Sequence, residues 1–339
     1  MQRRVFLTTS AILAARSLVA ESGIPPLRFG LCPFSCHQRW KHTGAIDAEA
    51  FFHYARELGA EGIQSPLRGS DPHAIRALVE QDGGYYEGDL PLPRVKSDLA
   101  AFETSVRQTR EAGATVARVV LAGGRRYERF KTRAEFDAFY VQARDILTRI
   151  EPILKRHRLK LAVENHKDLT SEELAAMMGA LASEWIGVLV DTGNNLALLE
   201  EPQTTIERLA PFVLSVHLKD MCVQPDAEGF LLSETPLGTG FLNLKHLVAI
   251  LVRSNPDIVL NLEMATRDPL RIPCLTDTYF ATFPGRRETH LEAALVRVKA
   301  HPPNYPPPSV SGREPARILA EEEANNRDGF SWMRANLRT

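Results

Sequence analysis

Long apolar runs, cysteine and an excess of charge of either sign are all scarce in this chain of 339 residues. The apolar stretch over residues 6–15 is too short to cross a bilayer, so we expect no stable membrane span. The 41 basic and 42 acidic residues leave a formal net charge of −1. Because proteins that grip phosphate backbones carry a positive footprint, we expect no nucleic-acid partner.

The four cysteines do not have the arrangement of a zinc ribbon. Cys32 and Cys36 are separated by three residues, whereas Cys222 and Cys274 lie far along the chain. Structural zinc modules use two closely spaced pairs, and only one pair is present. An oxidising compartment would allow a disulfide between Cys32 and Cys36, and two separate thiols are an equal alternative.

Residues 1–22 have the features of a targeting segment. Arg3 and Arg4 precede the short apolar stretch, and small residues around Ala20 offer a cleavage point. The arginine pair followed by Val-Phe-Leu resembles a twin-arginine signal, which implies export of the folded protein to the periplasm. The alternative is an amphipathic or disordered extension, and the protein would then be cytoplasmic.

The rest of the chain alternates short apolar runs with helical patterns, which predicts a parallel sheet. Four runs rich in valine and leucine each end in a side chain that can bind a metal, namely Glu164, Asp191, His217 and Glu263. Such runs are typical of buried parallel strands. Since a (β/α)8 TIM barrel needs about 250 residues, we predict one α/β barrel domain over residues 27–301.

Earlier strands and later segments complete the predicted domain. The other strands are placed at residues 28–31, 61–64, within 85–90, and 116–121. Residues 221–242 are predicted as a long loop, and long loops in compact domains are often functional lids. Residues 302–308 contain five prolines, so residues 302–339 are predicted as a Pro-rich linker and a C-terminal helix. That helix is expected to pack on the barrel exterior, with a dimer contact as the alternative.

In a closed barrel the carboxyl ends of the strands meet on one face. Glu164, Asp191, His217 and Glu263 would then surround a divalent cation, because buried charges need a partner or a metal. Three carboxylates with one imidazole suit Mn²⁺, which we expect, and also Mg²⁺, Co²⁺, Fe²⁺ or Zn²⁺. More imidazole or thiolate would favour zinc.

Two further residues are predicted to lie on the rim of this face. Side chains alternate along a strand, so His166 faces as Glu164 does, and Lys219 faces as His217 does. We expect His166 and Lys219 to bind the substrate, although Lys219 could instead only neutralise the carboxylates. Asp220 is predicted to point away and to orient His217 as a hydrogen-bond acceptor.

Five motifs in order resemble the xylose-isomerase-like TIM-barrel superfamily, over residues 28–301. They are Glu164-Asn165-His166, Asp191-Thr192-Gly193-Asn194, His217-Leu218-Lys219-Asp220, Leu237-Gly238-Thr239-Gly240 and Glu263. Members include sugar isomerases and epimerases, inosose dehydratases and an apurinic endonuclease. The resemblance implies that Glu164 and Glu263 are catalytic and work on opposite faces of a sugar, one abstracting a proton and the other returning it.

One position departs from that pattern. Many relatives have a histidine three positions after the aspartate of the sixth strand, where it helps to hold a substrate or a second metal. This chain has Asn194 there, which can hydrogen-bond a sugar hydroxyl but cannot exchange protons near neutral pH. We expect Asn194 to bind the substrate, and its presence argues against a multi-zinc endonuclease.

The sequence favours two functions. The first is a divalent-metal-dependent sugar isomerase or epimerase, which abstracts a proton next to a carbonyl and passes through an enediolate. The second is a 3-keto-glycoside lyase or hydratase that uses the same metal site. A non-catalytic sugar-binding barrel and an apurinic endonuclease are less favoured. The expected partner is a small-molecule carbohydrate, and self-association into a homo-oligomer stays open.

Overall fold

The computed structural model describes residues 26–303 and 306–338, and eight parallel strands in it close into a barrel. Including three strands outside the barrel, the strands are β1 Arg28–Leu31, β2 Gly62–Ser65, β3 Tyr85–Asp89, β4 Val116–Val119, β5 Lys160–Glu164, β6 Ile186–Asp191, β7 Val213–Leu218, β8 Asp220–Asp226, β9 Gly229–Thr235, β10 Val259–Leu262 and β11 Leu270–Ile272. Strands β1 to β7 follow one another around the barrel, and β10 pairs with both β7 and β1. The predicted TIM barrel is confirmed, and residues 1–22, with the predicted signal, lie outside the described part.

Helices fill the connections and follow the barrel. They are α1 His37–Thr43, α2 Ala48–Leu58, α3 Pro72–Gln81, α4 Leu99–Glu111, α5 Arg126–Arg129, α6 Arg133–His157, α7 Ser171–Leu181, α8 Pro202–Leu209, α9 Leu244–Ser254, α10 Arg286–Ala300 and α11 Pro315–Leu337. Thr132 and Thr170 begin α6 and α7 with capping boxes, which satisfy backbone N–H groups that a helix start leaves free. Within the described ranges, none of the helices is long and apolar enough to cross a membrane.

The segment predicted as a long loop after His217 is folded, so that prediction was wrong. Strands β8 and β9 form an antiparallel hairpin, and β11 adds to β9 as a third strand. The hairpin buries Met221, Val223, Phe230 and Leu232, and most of the residues between and beside them are buried as well.

Asp220 fixes the segment that follows β9. Its carboxylate accepts hydrogen bonds from the backbone N–H groups of Gly238 at 2.9 Å, Gly240 at 3.0 Å and Leu242 at 3.2 Å. A side chain at Gly240 would lie 2.2 Å from Asp220 Oδ1, and Gly238 has a φ of 83°. Asp220 points away from the site, but it does not orient His217, and that part of the prediction was wrong.

The C-terminal helix α11 packs against α1, α2 and β10. Glu322 accepts hydrogen bonds from the backbone N–H groups of Gln38 at 2.8 Å and Arg39 at 2.9 Å. Asn326 Nδ2 donates to the carbonyl of Ser35 at 2.9 Å. Phe330 is fully buried in the same contact. The helix therefore supports the segment that follows β1.

Candidate metal centre and pocket

Four buried side chains from four barrel strands converge at the carboxyl ends of those strands. One ligand atom each from Glu164, Asp191, His217 and Glu263 lies within 4.8 Å of the other three. Glu164 and Asp191 end β5 and β6, His217 is the penultimate residue of β7, and Glu263 follows β10 directly. All four side chains are buried. The closed barrel brings them together because parallel strands end on the same side.

This donor set fits a divalent cation. Asp191 Oδ2 and His217 Nδ1 are fully buried, and neither has a partner with hydrogen-bond geometry among the described residues. Nδ1 lies against Glu263 Oε2, and Asp191 Oδ2 lies 2.9 Å from Lys219 Nζ. Three carboxylates and one imidazole within reach of one point are donors that divalent cations accept, so the cluster fits such an ion, although Lys219 and Glu263 already contact two of these atoms.

The surroundings keep two of the carboxylates ionised. Burial acts to raise the pKa of Glu164, but the charges of Arg118 and His217 outweigh it and lower that pKa to about 2. Burial also opposes ionisation of Glu263, yet Lys219 and His217 hold its pKa well below the usual range. Negative charge is therefore present where a cation would bind.

Burial dominates at Asp191, so its pKa is raised even though Lys219 opposes that shift. At His217 burial lowers the pKa, but Glu263 and Glu164 outweigh it and raise the pKa overall. Metal ligands bind in their deprotonated forms, so binding of a metal would oppose both shifts.

A hydrogen-bonded chain inside the barrel fixes the ring of His217. Nε2 of His217 lies 2.7 Å from Oε1 of Gln64. Nε2 of Gln64 donates to Glu87 Oε2 at 2.8 Å, and Ser215 and Asn261 donate to the same oxygen at 2.7 and 2.9 Å. These polar groups are buried and mutually satisfied, so they hold the imidazole rigidly.

Lys219 is not on the rim where it was expected. Its side chain is 1% exposed, and Nζ lies 2.9 Å from both Asp191 Oδ2 and Glu263 Oε1. Lys219 is not among the residues that line the pocket. Its contacts match the alternative in which it neutralises the carboxylates. Burial opposes the charge of Lys219, but Asp191 and Glu263 outweigh it and raise its pKa.

His166 and Asn194, both predicted to bind substrate, occupy different places. His166 lines the pocket, and its buried Nδ1 has no hydrogen-bond partner in the described residues. Burial and the neighbouring charge of Lys167 lower the pKa of His166 to about 3, so the ring is neutral. Asn194 is buried beneath the pocket, where its Nδ2 donates to Glu164 Oε1 at 2.9 Å. It positions a predicted ligand and does not line the pocket.

A pocket of about 340 Å³ opens above the cluster. Glu164, His217 and Glu263 form its floor, and one wall is apolar, from Pro33, Phe34 and Trp40. Most of the other lining residues are polar or charged, so the pocket suits a polar small molecule with one apolar face.

Several pocket residues carry no motif and were not predicted from the sequence. They are Cys32, Gln64, Arg118, Lys167 and Arg267. Gln64 and Arg118 each interrupt an apolar strand with a polar side chain, which is the one signal that could have found them. Cys32 Sγ lies within 4.8 Å of ligand atoms of His217 and Glu263. All four cysteines are free, so Cys32 and Cys36 do not form a disulfide.

Arg118 joins the pocket wall to the cluster. Its Nε donates to Glu164 Oε2 at 2.6 Å, and its Nη1 donates to Asp89 Oδ2 at 3.0 Å. Burial opposes the charge of Arg118, but Glu164 and Asp89 outweigh it and raise its pKa. The guanidinium therefore stays charged and holds Glu164 in its ionised form.

A family model described as a xylose isomerase-like TIM barrel matches residues 52–280. Among curated proteins, 3-oxo-isoapionate decarboxylase of Pectobacterium atrosepticum is 31% identical over 104 residues, which cover 30% of this chain and 38% of that protein. The uncharacterized protein YihM of Escherichia coli is 24% identical over 164 residues, which cover 48% of each chain. The chain thus spans less than half the length of these curated relatives.

Solved structures agree on the fold. D-psicose 3-epimerase, crystallised in the presence of D-fructose, has a TM-score of 0.59 and 13% identity, covering 92% of this chain and 100% of that chain. L-ribulose 3-epimerase has a TM-score of 0.54 and 16% identity, covering 81% of this chain and 97% of that chain. At these identities the likeness shows the barrel architecture alone.

Proposed function

Because the chain belongs to the xylose isomerase-like TIM barrel family, we propose that it is a divalent-metal-dependent sugar isomerase or epimerase. The observation that carries this proposal is the convergence of Glu164, Asp191, His217 and Glu263 beneath a sugar-sized pocket. These four residues would hold the ion, for which we propose Mn²⁺, with Mg²⁺, Co²⁺, Fe²⁺ and Zn²⁺ as alternatives. When bound, the ion would polarise the carbonyl of the substrate.

The two glutamates supply the proton transfer in this proposal. Glu164 and Glu263 come from β5 and from the end of β10, and both line the pocket. Their lowered pKa values keep them ionised at neutral pH, as a general base must be before it abstracts a proton. One ionised carboxylate takes the proton from the carbon next to the carbonyl. The other must first take up a proton from solvent, and it then returns that proton to the enediolate from the opposite face.

A second candidate is a lyase that uses the same site, such as a 3-keto-glycoside lyase or hydratase. The similarity to a decarboxylase of a 3-oxo acid favours it, because β-elimination from a 3-keto-glycoside and decarboxylation both pass through a carbanion that the neighbouring carbonyl stabilises.

Deuterium exchange separates these candidates. The purified protein, with its metal content measured, would be incubated in D₂O with a panel of ketoses and 3-keto sugars. Deuterium on the carbon next to the carbonyl, in a product of unchanged composition and altered configuration, supports the epimerase. Release of an aglycone from a 3-keto-glycoside supports the lyase. Metal-loaded protein that exchanges no deuterium and releases no aglycone across the panel would contradict both.

Replacing His217 tests the metal centre itself. We expect His217→Ala to lose most of its Mn²⁺ in equilibrium dialysis and its exchange activity, because one of four proposed ligands is removed. His246→Ala is the matched control, since His246 is exposed on α9. Equal metal retention by the two variants would contradict the proposed centre.

A further inference from the structure

Lys167 is a buried cation in the pocket wall that lacks an acidic partner. It lies three residues after Glu164, is 5% exposed and lines the pocket. Its Nζ contacts Oδ1 of Asn194, a neutral amide. Among the described residues no carboxylate lies within ion-pair distance of Nζ.

The other buried or half-buried cations around the pocket are paired, and Arg68, which also lines it, is exposed. Arg118 binds Glu164 and Asp89, and Lys219 binds Glu263 and Asp191. Arg267 makes two parallel hydrogen bonds to Glu234, at 3.0 and 2.6 Å. Lys167 is thus buried as Lys219 is, but unlike Lys219 it has no acidic partner.

An unpaired ammonium in a buried site is costly, and such groups are kept where a ligand supplies the opposite charge or where they lose their proton. Burial and the charges of Lys219 and Arg267 lower the pKa of Lys167 to about 8. The group therefore remains mostly charged at neutral pH. An anion beside it would offset the cost of burial.

The adjacent His166 points to the same place. Its Nδ1 is buried without a hydrogen-bond partner in the part of the chain that the structure describes, and the residue lines the same pocket. A neutral imidazole can donate or accept one hydrogen bond there. A cation without an acidic partner beside a buried nitrogen without a hydrogen-bond partner favours a polar group of the substrate over an apolar one.

We infer that the substrate of the proposed enzyme is a sugar acid whose carboxylate pairs with Lys167. This inference rests on the proposed function and adds a charge to the substrate. A carboxylate carries one negative charge, which one lysine can match. A phosphate has nearly twice that charge at neutral pH and three acceptor oxygens, and it is usually met by several donors. Of the other arginines that line the pocket, Arg118 and Arg267 are already held by carboxylates, and Arg68 is exposed.

Matched sugars test the inference directly. Isothermal titration of the Mn²⁺-loaded protein would compare D-glucuronate, D-glucose and D-glucose 6-phosphate. We expect D-glucuronate to bind about tenfold more tightly than D-glucose, since one charge-assisted contact is gained. Lys167→Gln should remove this preference by weakening the binding of D-glucuronate far more than that of D-glucose. The glutamine can still donate to Asn194, and a Tm close to that of the unchanged protein would show that it folds.

Lys160→Gln is the control, because Lys160 is exposed at the opposite end of the same strand, β5. Equal affinity of the unchanged protein for D-glucuronate and D-glucose, tighter binding of the phosphate alone, or no binding of either sugar would overturn the inference. An equal loss of affinity for both sugars in Lys167→Gln would also overturn it. If the glutamine variant fails to fold, Lys167→Met is measured in its place. If Mn²⁺ is retained and neutral ketoses exchange deuterium, the proposed function survives such a result. Failure of the protein to bind any divalent ion would contradict the proposed function instead.

Discussion

The ring of His217 is oriented by an amide that no motif marks. An amide oxygen only accepts hydrogen bonds, so the contact with Gln64 Oε1 at 2.7 Å places a proton on Nε2 of His217. With a metal bound, Nδ1 would then be the deprotonated nitrogen that faces the ion. Fixing the tautomer in this way is a common role of residues that contact metal-bound histidines.

Replacing Gln64 by alanine should weaken metal binding without removing a ligand. We expect about a 10- to 100-fold loss of Mn²⁺ affinity, as is typical when the partner of a ligating histidine is lost. Gln142→Ala, on the exposed face of α6, is the matched control. An unchanged Mn²⁺ dissociation constant in Gln64→Ala would show that the ring needs no such support.

Functional residues at strand ends could be predicted from the sequence. Residues whose role depends on contacts between distant strands could not. Glu164, Asp191 and His217 lie at the ends of apolar runs, so the local sequence was enough to predict that they lie close together. Lys167 has no comparable signal, because its isolation from acidic groups depends on where Glu234 and Asp191 point after folding. Charge pairing between distant strands is a property of the folded barrel, and no spacing encodes it.

At the scale of elements, α11 supplies a carboxylate to the start of α1. Burial raises the pKa of Glu322 to about 7, although the N–H groups of Arg39 and Gln38 oppose the shift. The folded state therefore keeps a proton that the unfolded chain releases near its usual pKa of 4.5. Because the folded state has the higher pKa, Glu322 makes its full contribution to stability below about pH 4.5. This contribution is lost as pH rises through about 7.

Glu322→Gln should remove this dependence on pH. Relative to the variant, we expect the unchanged protein to lose roughly 2 kcal/mol of unfolding free energy between about pH 4.5 and pH 8. Urea unfolding at several pH values measures it. Asp328→Asn, on the exposed face of the same helix, is the control. Parallel pH profiles for Glu322→Gln and the unchanged protein would refute this prediction.

The barrel strands were predictable, because a strand buried on both faces is a continuous apolar run. The hairpin of β8 and β9 was missed for the opposite reason. Its two apolar stretches are short, and Pro225 and a turn over residues 226–229 separate them, so the segment looked like a loop. Only the position of β11 beside β9, some 40 residues along the chain, completes that sheet.

At the scale of the whole molecule, the targeting segment remains a prediction. A fusion of residues 1–26 to a folded fluorescent reporter should reach the periplasm, because a receptor reads the arginine pair. Replacing Arg3 and Arg4 by lysine should retain the reporter in the cytoplasm, and Arg16→Lys is the control. Fractionation of cells measures the outcome. Export that is indifferent to Arg3 and Arg4 would exclude a twin-arginine route.

The contact between α11 and the segment after β1 also bears on biosynthesis. Residues 33–40 emerge from the ribosome early and form one flank of the pocket, yet Glu322 and Asn326 supply their hydrogen-bond partners nearly three hundred residues later. Domains tend to fold as units while the chain is made from its N-terminus. A nascent chain that has completed all eight barrel strands therefore still has an unfinished binding cleft, and ligand capture must wait for the last helix to arrive.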